Sequence, residues 1–453
     1  MISYSFFLPD QTELTYPDAY NLVRSYLSEE HSKEFNSKHS DVPKLAGIIR
    51  RYFVSRGIHA NEDLNDVAEK MAQDMGGLSF LSKYLEHLDE YPTLEEININ
   101  AWNSIVLRYS DRPDEWLSES FIDPESALAT INKIKSDTDT DTLSPAFPGS
   151  IGYVFESVRE ASMCAPIVPN SVGIYGSIRI VRPAPLSTQS ILGSGCMTQK
   201  MLDLIVMFMK HSVNILIGGK PRAGKTTILN YLLSILASDP NIRIGIIEEG
   251  SREVVLTTFD ENGRPKNQVL SMLTRPSEVH KQNYDSNRLL QICLRFGLDV
   301  IVVQEMRSGE AYVAVKTANT GMAVYSTIHS NDGESTYYRG VDLMEEGSPQ
   351  PEPVLMRKLV LGFPVVLYFK RMEDGVRRCM EIMEGFYEHG ELRCQTLFRF
   401  VTDDNGRAEN GKVHVKGHFE QINNLSDRTR RILLNNGVML EDLKTFTKDG
   451  DVA

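Results

Sequence analysis

Residues 212–229 read SVNILIGGKPRAGKTTIL. The run 213–217 is mostly apolar and is bounded by a charged segment and by glycines, the composition of a buried strand. Gly219, four residues, Gly224, Lys225 and Thr226 then fit the pattern G-x-x-x-x-G-K-[ST], and 227–236 carries Leu, Ile and Tyr at helical spacing. Strand, glycine-bearing loop and helix in that order make a phosphate-binding loop. Glycines let the backbone aim its N–H groups at a phosphate chain, and the helix N-terminus adds partial positive charge. Gly219, Lys220, Pro221, Arg222, Ala223, Gly224, Lys225, Thr226 and Thr227 are therefore the expected nucleotide contacts. Lys225 offers a point charge to the outer phosphates, and Thr226 a hydroxyl to Mg2+.

Outward from this unit, strands and helices alternate. Strands are expected at 243–248, 299–303 and 323–327, with helices at 287–295, after Gly309 and onward to Leu361. Such alternation implies an α/β domain, a mainly parallel sheet covered by helices. Beyond it, 365–371 and 376–387 flank an Asp374-Gly375 turn, and Gly390 opens a further strand at 392–400, so the end of the chain reads as antiparallel hairpins before a last helix at 428–436. Upstream, the Pro-, Ser- and Gly-rich stretch 184–198 reads as linker. Residues 94–100 and 104–109 read as strands, 124–135 as a helix, 136–150 as turn-rich, and 176–183 as a strand bearing arginines. Residues 1–75 are polar and helix-prone, with Leu45, Ile48, Ile49 and Phe53 forming a core-facing stripe. The expected order is a helical N-terminal extension (1–75), an α+β domain (76–187), a linker (188–200) and the α/β domain with its hairpins (201–453).

A chain of 453 residues with 41% apolar and 24% charged residues has the composition of a soluble globular protein of two or three domains. No apolar run approaches a membrane span and the N-terminus lacks a basic leader, so the expectation is a cytoplasmic protein with no direct membrane span. Five cysteines are scattered without a C-x-x-C pair, which argues against a zinc site or a disulfide framework. A formal net charge of −13 argues against nucleic acid as a direct ligand, a local basic ring in an oligomer aside.

Hydrolysis needs more than a phosphate loop: a positioned water and compensation of the charge on the transferred phosphoryl. Three later strands end in Glu248-Glu249, Gln304-Glu305 and Thr327-Ile328-His329. In a doubly wound sheet the carboxyl ends of the strands converge on the ligand crevice, which makes Glu248 and Glu305 candidates for Mg2+ and for the water. Solvated strand-end carboxylates are the plainer alternative. A lone histidine is more often structural, and the residues alone leave His329 undecided.

The run resembles the secretion ATPase superfamily that drives type IV secretion, type II secretion and type IV pili. Its signatures appear in family order: a Walker A loop GGKPRAGKTT, an acidic box IIEEGSREV, a Walker B strand DVIVVQEMR and a histidine box STIHSN. LEEININAWNSIVLRY and SIRIVRP resemble the family's N-terminal domain. DGVRRCMEIMEGFY with LFRFVTDDNG resembles the VirB11-like branch typified by CpaF, the ATPase of tight-adherence (Flp) pili, and the resemblance runs from about Met75 to Val438. It implies a RecA-like P-loop NTPase domain, ATP and Mg2+, a homo-hexamer at the inner face of the cytoplasmic membrane, and inner-membrane secretion or pilus platform proteins as partners. It also implies that Glu305 and Glu248 share the holding of magnesium and the orienting of water, and that His329 senses the γ-phosphate. Arg179 and Arg182 would approach the phosphates from the N-terminal domain when the domains close.

The sequence departs from the family at several points. Arg222 replaces the central loop glycine, Glu249 an aspartate, Gln304 a glycine, Met322 a histidine and Ile180 an arginine. Pro221 lacks an N–H, so the loop offers one phosphate contact fewer. Two other readings stand beside the motor: a nucleotide-bound structural ring with little turnover, and a DNA-directed RecA-fold motor.

Overall fold

The structure, a computed structural model, describes residues 4–35, 41–135, 142–154, 158–180, 186–249, 252–275, 282–407 and 413–448. The chain divides into two compact units, 1–182 and 183–453.

In the first unit, helices Tyr16–Glu30, Val42–Arg56 and Leu64–Gly76 gather around Phe6, Val23, Ile49, Phe53 and Met71. Thr15, Asp41 and Asp63 cap them by accepting backbone N–H bonds that the first turns leave open. This segment is not all helix. Ser5–Phe7 pairs with Glu13–Thr15 and with His59–Ala60, strands too short to show a period of two in sequence. A second core in this unit lies between helix Pro124–Lys135 and an antiparallel sheet. Its strand order is Glu115–Trp116, Ser104–Tyr109, Leu94–Ala101, Ile174–Ile180, Val158–Cys164, Gly149–Val154. The turn-rich reading of 136–150 meets a strand at Gly149, while 136–141 lie outside the described residues. Within this core Lys135 and Glu160, both fully buried, pair at 3.0 Å.

The second unit is built on a sheet of nine strands among the described residues. Gln268–Leu273, Arg243–Glu248, Val300–Met306, Ala323–His329, Ile215–Gly219 and Val365–Arg371 are neighbours in that order and run parallel. Arg377–Glu388, Glu391–Arg407 and Val413–Gln421 extend the same sheet antiparallel. The central parallel strands are continuous apolar runs because both of their faces are covered. Ile215 and Ile217 enter one core with helices Gln199–Lys210 and Lys225–Ala237; Leu216 enters the other with helices Glu310–Ala318, Ser335–Gly347 and Glu352–Gly362. Val300 and Val302 against Ile301 and Val303 divide in the same way. The edge strand Gln268–Leu273 escaped the sequence reading, for none of its residues is fully buried. Where linker was expected, Thr188–Gly193 is a short helix begun by a reciprocal Ser187–Ser190 cap, and 181–185 lie outside the described residues.

Candidate functional site

The loop begins where Ile215–Gly219 leaves the sheet between Ala323–His329 and Val365–Arg371. Register sets Gly219 opposite His329 on one side and Phe369 on the other. A Cβ on Gly219 would stand 2.5 Å from the Phe369 carbonyl oxygen, so a side chain has no room here. Ala223 is buried beneath the loop, while Lys220, Pro221, Arg222 and Thr227 are exposed and Thr226 is half-buried. Gly224, the N-cap of helix Lys225–Ala237, has φ +88°. Arg222 has φ +64°, a left-handed conformation that costs an L-residue roughly 1–2 kcal/mol and that glycine adopts freely. The family's glycine at this point therefore has a backbone reason, and this chain carries the strain.

Lys225 is only 6% exposed. Its Nζ donates to the carbonyls of Gly219 at 3.1 Å and Lys220 at 3.4 Å, and lies 3.1 Å from His329 Nδ1. Burial draws its pKa down to about 8. An ammonium group only donates, so His329 Nδ1 accepts and the imidazole proton belongs on Nε2. Nε2 lies 2.7 Å from Glu305 Oε1. Glu305 Oε2 accepts from Arg307 Nε at 2.8 Å and Nη2 at 2.6 Å. Burial alone would raise Glu305, but the His329 hydrogen bond and the Arg307 charge outweigh it and hold the carboxyl at about 2. A β-bulge aims Glu305 at this point: Val303 pairs with Ser326 and Glu305 with Thr327, leaving Gln304 as the extra residue. The Gln304 carbonyl accepts from Thr327 Oγ1 at 2.8 Å, so the departure from glycine falls on a hydrogen-bonded bulge.

Glu248 has a different setting. It is 1% exposed, and its Oε1 accepts from the N–H groups of Glu253 at 2.7 Å and Val254 at 2.9 Å. Oε2 has no hydrogen-bond partner among the described residues. Burial pushes this carboxyl up to about 7 against the pull of the two N–H groups. Its visible work is to fasten the acidic-box segment. Sequence reasoning did not single out Glu253, whose charge acts on both Lys225 and Arg307, nor Arg307 itself. Arg307 could have been found from its spacing, since two residues along a strand share a face with Glu305. Glu253 had no such signal, because its place depends on a loop tied down by Glu248.

Lys220 also lines a pocket of about 260 Å3 with Asp332, Tyr368, Lys370 and Arg399, which shares only that residue with the loop. Arg179 stands exposed on strand Ile174–Ile180 in the first unit, paired in register with Glu96 and Arg159. Arg182 lies outside the described residues. The ionised Glu305 and the hydroxyl of Thr226 are hard oxygen donors of the kind Mg2+ takes, and Mg2+ commonly relies on one or two carboxylates, water and substrate phosphates.

Residues 103–349 match the family described as Type II/IV secretion system protein. A probable conjugal transfer protein TrbB of Sinorhizobium fredii is 28% identical over 268 residues, covering 57% of this chain and 73% of its own. The type IV secretion system protein VirB11 of Bartonella henselae is 27% identical over 191 residues, covering 40% and 49%. The solved structure of the Legionella pneumophila ATPase DotB aligns with 81% of this chain and 86% of its own at 15% identity, with a TM-score of 0.47. The family match takes in more than half of the chain, with the loop, Glu248, Glu305 and His329 inside it, and the chain belongs to the Type II/IV secretion system protein family.

Proposed function

We propose that the chain is an ATP-hydrolysing motor of the VirB11-like branch typified by CpaF, working as a homo-hexamer that powers type IV secretion, conjugation or Flp/type IV pilus assembly. The observation that carries this reading is the chain of contacts from the loop lysine through His329 to Glu305. Residues 219–227 grip the triphosphate. Lys225 then turns from His329 Nδ1 to the outer phosphates, and the imidazole, losing its donor, reports the occupied site to the Glu305 strand. Mg2+, held by Thr226 and through water by Glu305, would neutralise charge on the transferring phosphoryl. Glu248 takes the water-orienting share, acting through the segment its carboxylate holds. Arg179 and Arg182 complete charge compensation when the two units close, which gates turnover by domain motion. The boundaries 1–75, 76–187, 188–200 and 201–453 belong to the same reading. No helix among the described residues is long and apolar enough to cross a membrane; the proposed place is the cytoplasmic face of the inner membrane, held by secretion or pilus platform proteins.

Steady-state ATP hydrolysis against protein concentration tests the proposal, with Lys225→Ala and Glu305→Gln beside the wild type. Turnover is expected to rise with assembly and to fall at least about a hundredfold in both variants. ATP binding without turnover in the assembled wild-type ring would instead favour a structural ring, a reading that draws on the strained Arg222 and on Pro221. Turnover stimulated by DNA would favour a DNA-directed motor.

A further inference from the structure

The strand that opens the C-terminal hairpins lays a cation across the phosphate loop. Arg377 Nε donates to the carbonyl of Arg222 at 3.2 Å, and Arg377 Cδ stands 2.8 Å from where a Cβ on Gly224 would fall. The side chain thus covers the last corner of the loop, beside the N-terminus of helix Lys225–Ala237. It is exposed, and among the described residues no carboxylate pairs with it. A helix N-terminus repels a cation. The same corner already carries Lys220, Arg222 and Lys225. Cationic groups gathered on a phosphate loop make an anion receptor, and a guanidinium is the group that binds phosphate through paired bonds.

We propose that Arg377 is a nucleotide-binding residue. On nucleotide binding its guanidinium turns from the Arg222 carbonyl to the phosphate chain and contacts the diphosphate that ADP and ATP share. The assignment to the shared part follows from position: Arg377 lies at the Arg222–Gly224 corner, and the backbone of such a loop cradles the phosphates that ADP and ATP have in common. The C-terminal strand is thereby tied to nucleotide occupancy. This inference rests on the reading of the loop as a nucleotide site. Its rival is a purely structural role, in which Arg377 only braces the carbonyl of the strained Arg222.

The test is equilibrium binding of ADP and of a non-hydrolysable ATP analogue to the full chain. Wild type would be compared with Arg377→Gln, Arg377→Lys, Arg222→Gly and the double variant Arg222→Gly/Arg377→Gln. Loss of a charge-assisted phosphate contact predicts weakening by about 10- to 100-fold for both nucleotides in Arg377→Gln, with partial recovery in Arg377→Lys. The same loss should persist between Arg222→Gly and the double variant, where the strain is gone. Arg377→Gln binding as wild type, or a loss that vanishes in the Arg222→Gly background, overturns the inference and leaves the proposed function standing. Wild type binding neither nucleotide overturns both.

Discussion

Replacing Glu248 by glutamine should change the stability of the second unit in a way that depends on pH. The folded carboxyl is raised from 4.5 to about 7 by burial, a difference worth about 3.4 kcal/mol. Because the folded state holds the proton more tightly than the unfolded one, this group costs nothing below pH 4.5. Its penalty grows as pH rises and is complete above 7. Glutamine cannot ionise and escapes that penalty. It still offers one oxygen to the Glu253 and Val254 N–H groups, but its amide nitrogen falls where Oε2 is buried without a partner, at a pH-independent cost of about 1–3 kcal/mol. Relative to wild type the variant should therefore gain about 1.4 kcal/mol between pH 6 and pH 9, close to tenfold in the opening equilibrium. Both tryptophans, Trp102 and Trp116, lie in the first unit, so their fluorescence does not read this region. Hydrogen exchange of the Arg243–Glu248 amides does, once intrinsic rates are divided out. A difference between variant and wild type that stays flat across this range would refute the buried, proton-holding carboxyl.

Two further outcomes follow from other ionised groups. Lys225 titrates near 8 in the nucleotide-free site, so a bound polyanion must bring a proton with it above that pH; nucleotide affinity should be level below pH 8 and fall up to about tenfold per unit above it, and affinity unchanged to pH 10 would sink the argument. Lys135→Met leaves Glu160 as an uncompensated buried acid and should destabilise the first unit by about 3–5 kcal/mol, while Lys135→Met/Glu160→Leu should recover most of the loss in tryptophan-monitored urea unfolding; equal losses in both variants would contradict the pairing.

The loop and its sheet were legible because two signals coincided, an apolar run long enough for a doubly covered strand and a glycine-lysine spacing tied to one backbone shape. The alternation of strands and helices through 215–329 follows from the same burial on both faces. What escaped depends on contacts between distant segments. Nothing in IIEEGSREV says that Glu248 turns inward to hold the backbone while Glu253 acts on Lys225. Nothing in QEMR announces that Gln304 is a bulge, and DGVRR does not declare that Arg377 crosses the loop 155 residues upstream. Ser5–Phe7 and Gln268–Leu273 were lost for a simpler reason: a strand of three residues, or one half-buried at an edge, has too little contrast between its faces.

The strand that leads into the loop is hydrogen-bonded to Val365–Arg371, and from there the ladder continues, with a β-bulge in each pairing, into Arg377–Glu388 and the long strand Glu391–Arg407. At about 3.3 Å per residue, the 17 residues of that strand extend about 55 Å. Hydrogen-bonded strands pass displacement to their neighbours, so the long strand would act as a lever for movement that begins beside the loop, with the bulges as its points of give. A tilt of about 5° at the loop would carry the far end through about 5 Å, the rise of one helical turn.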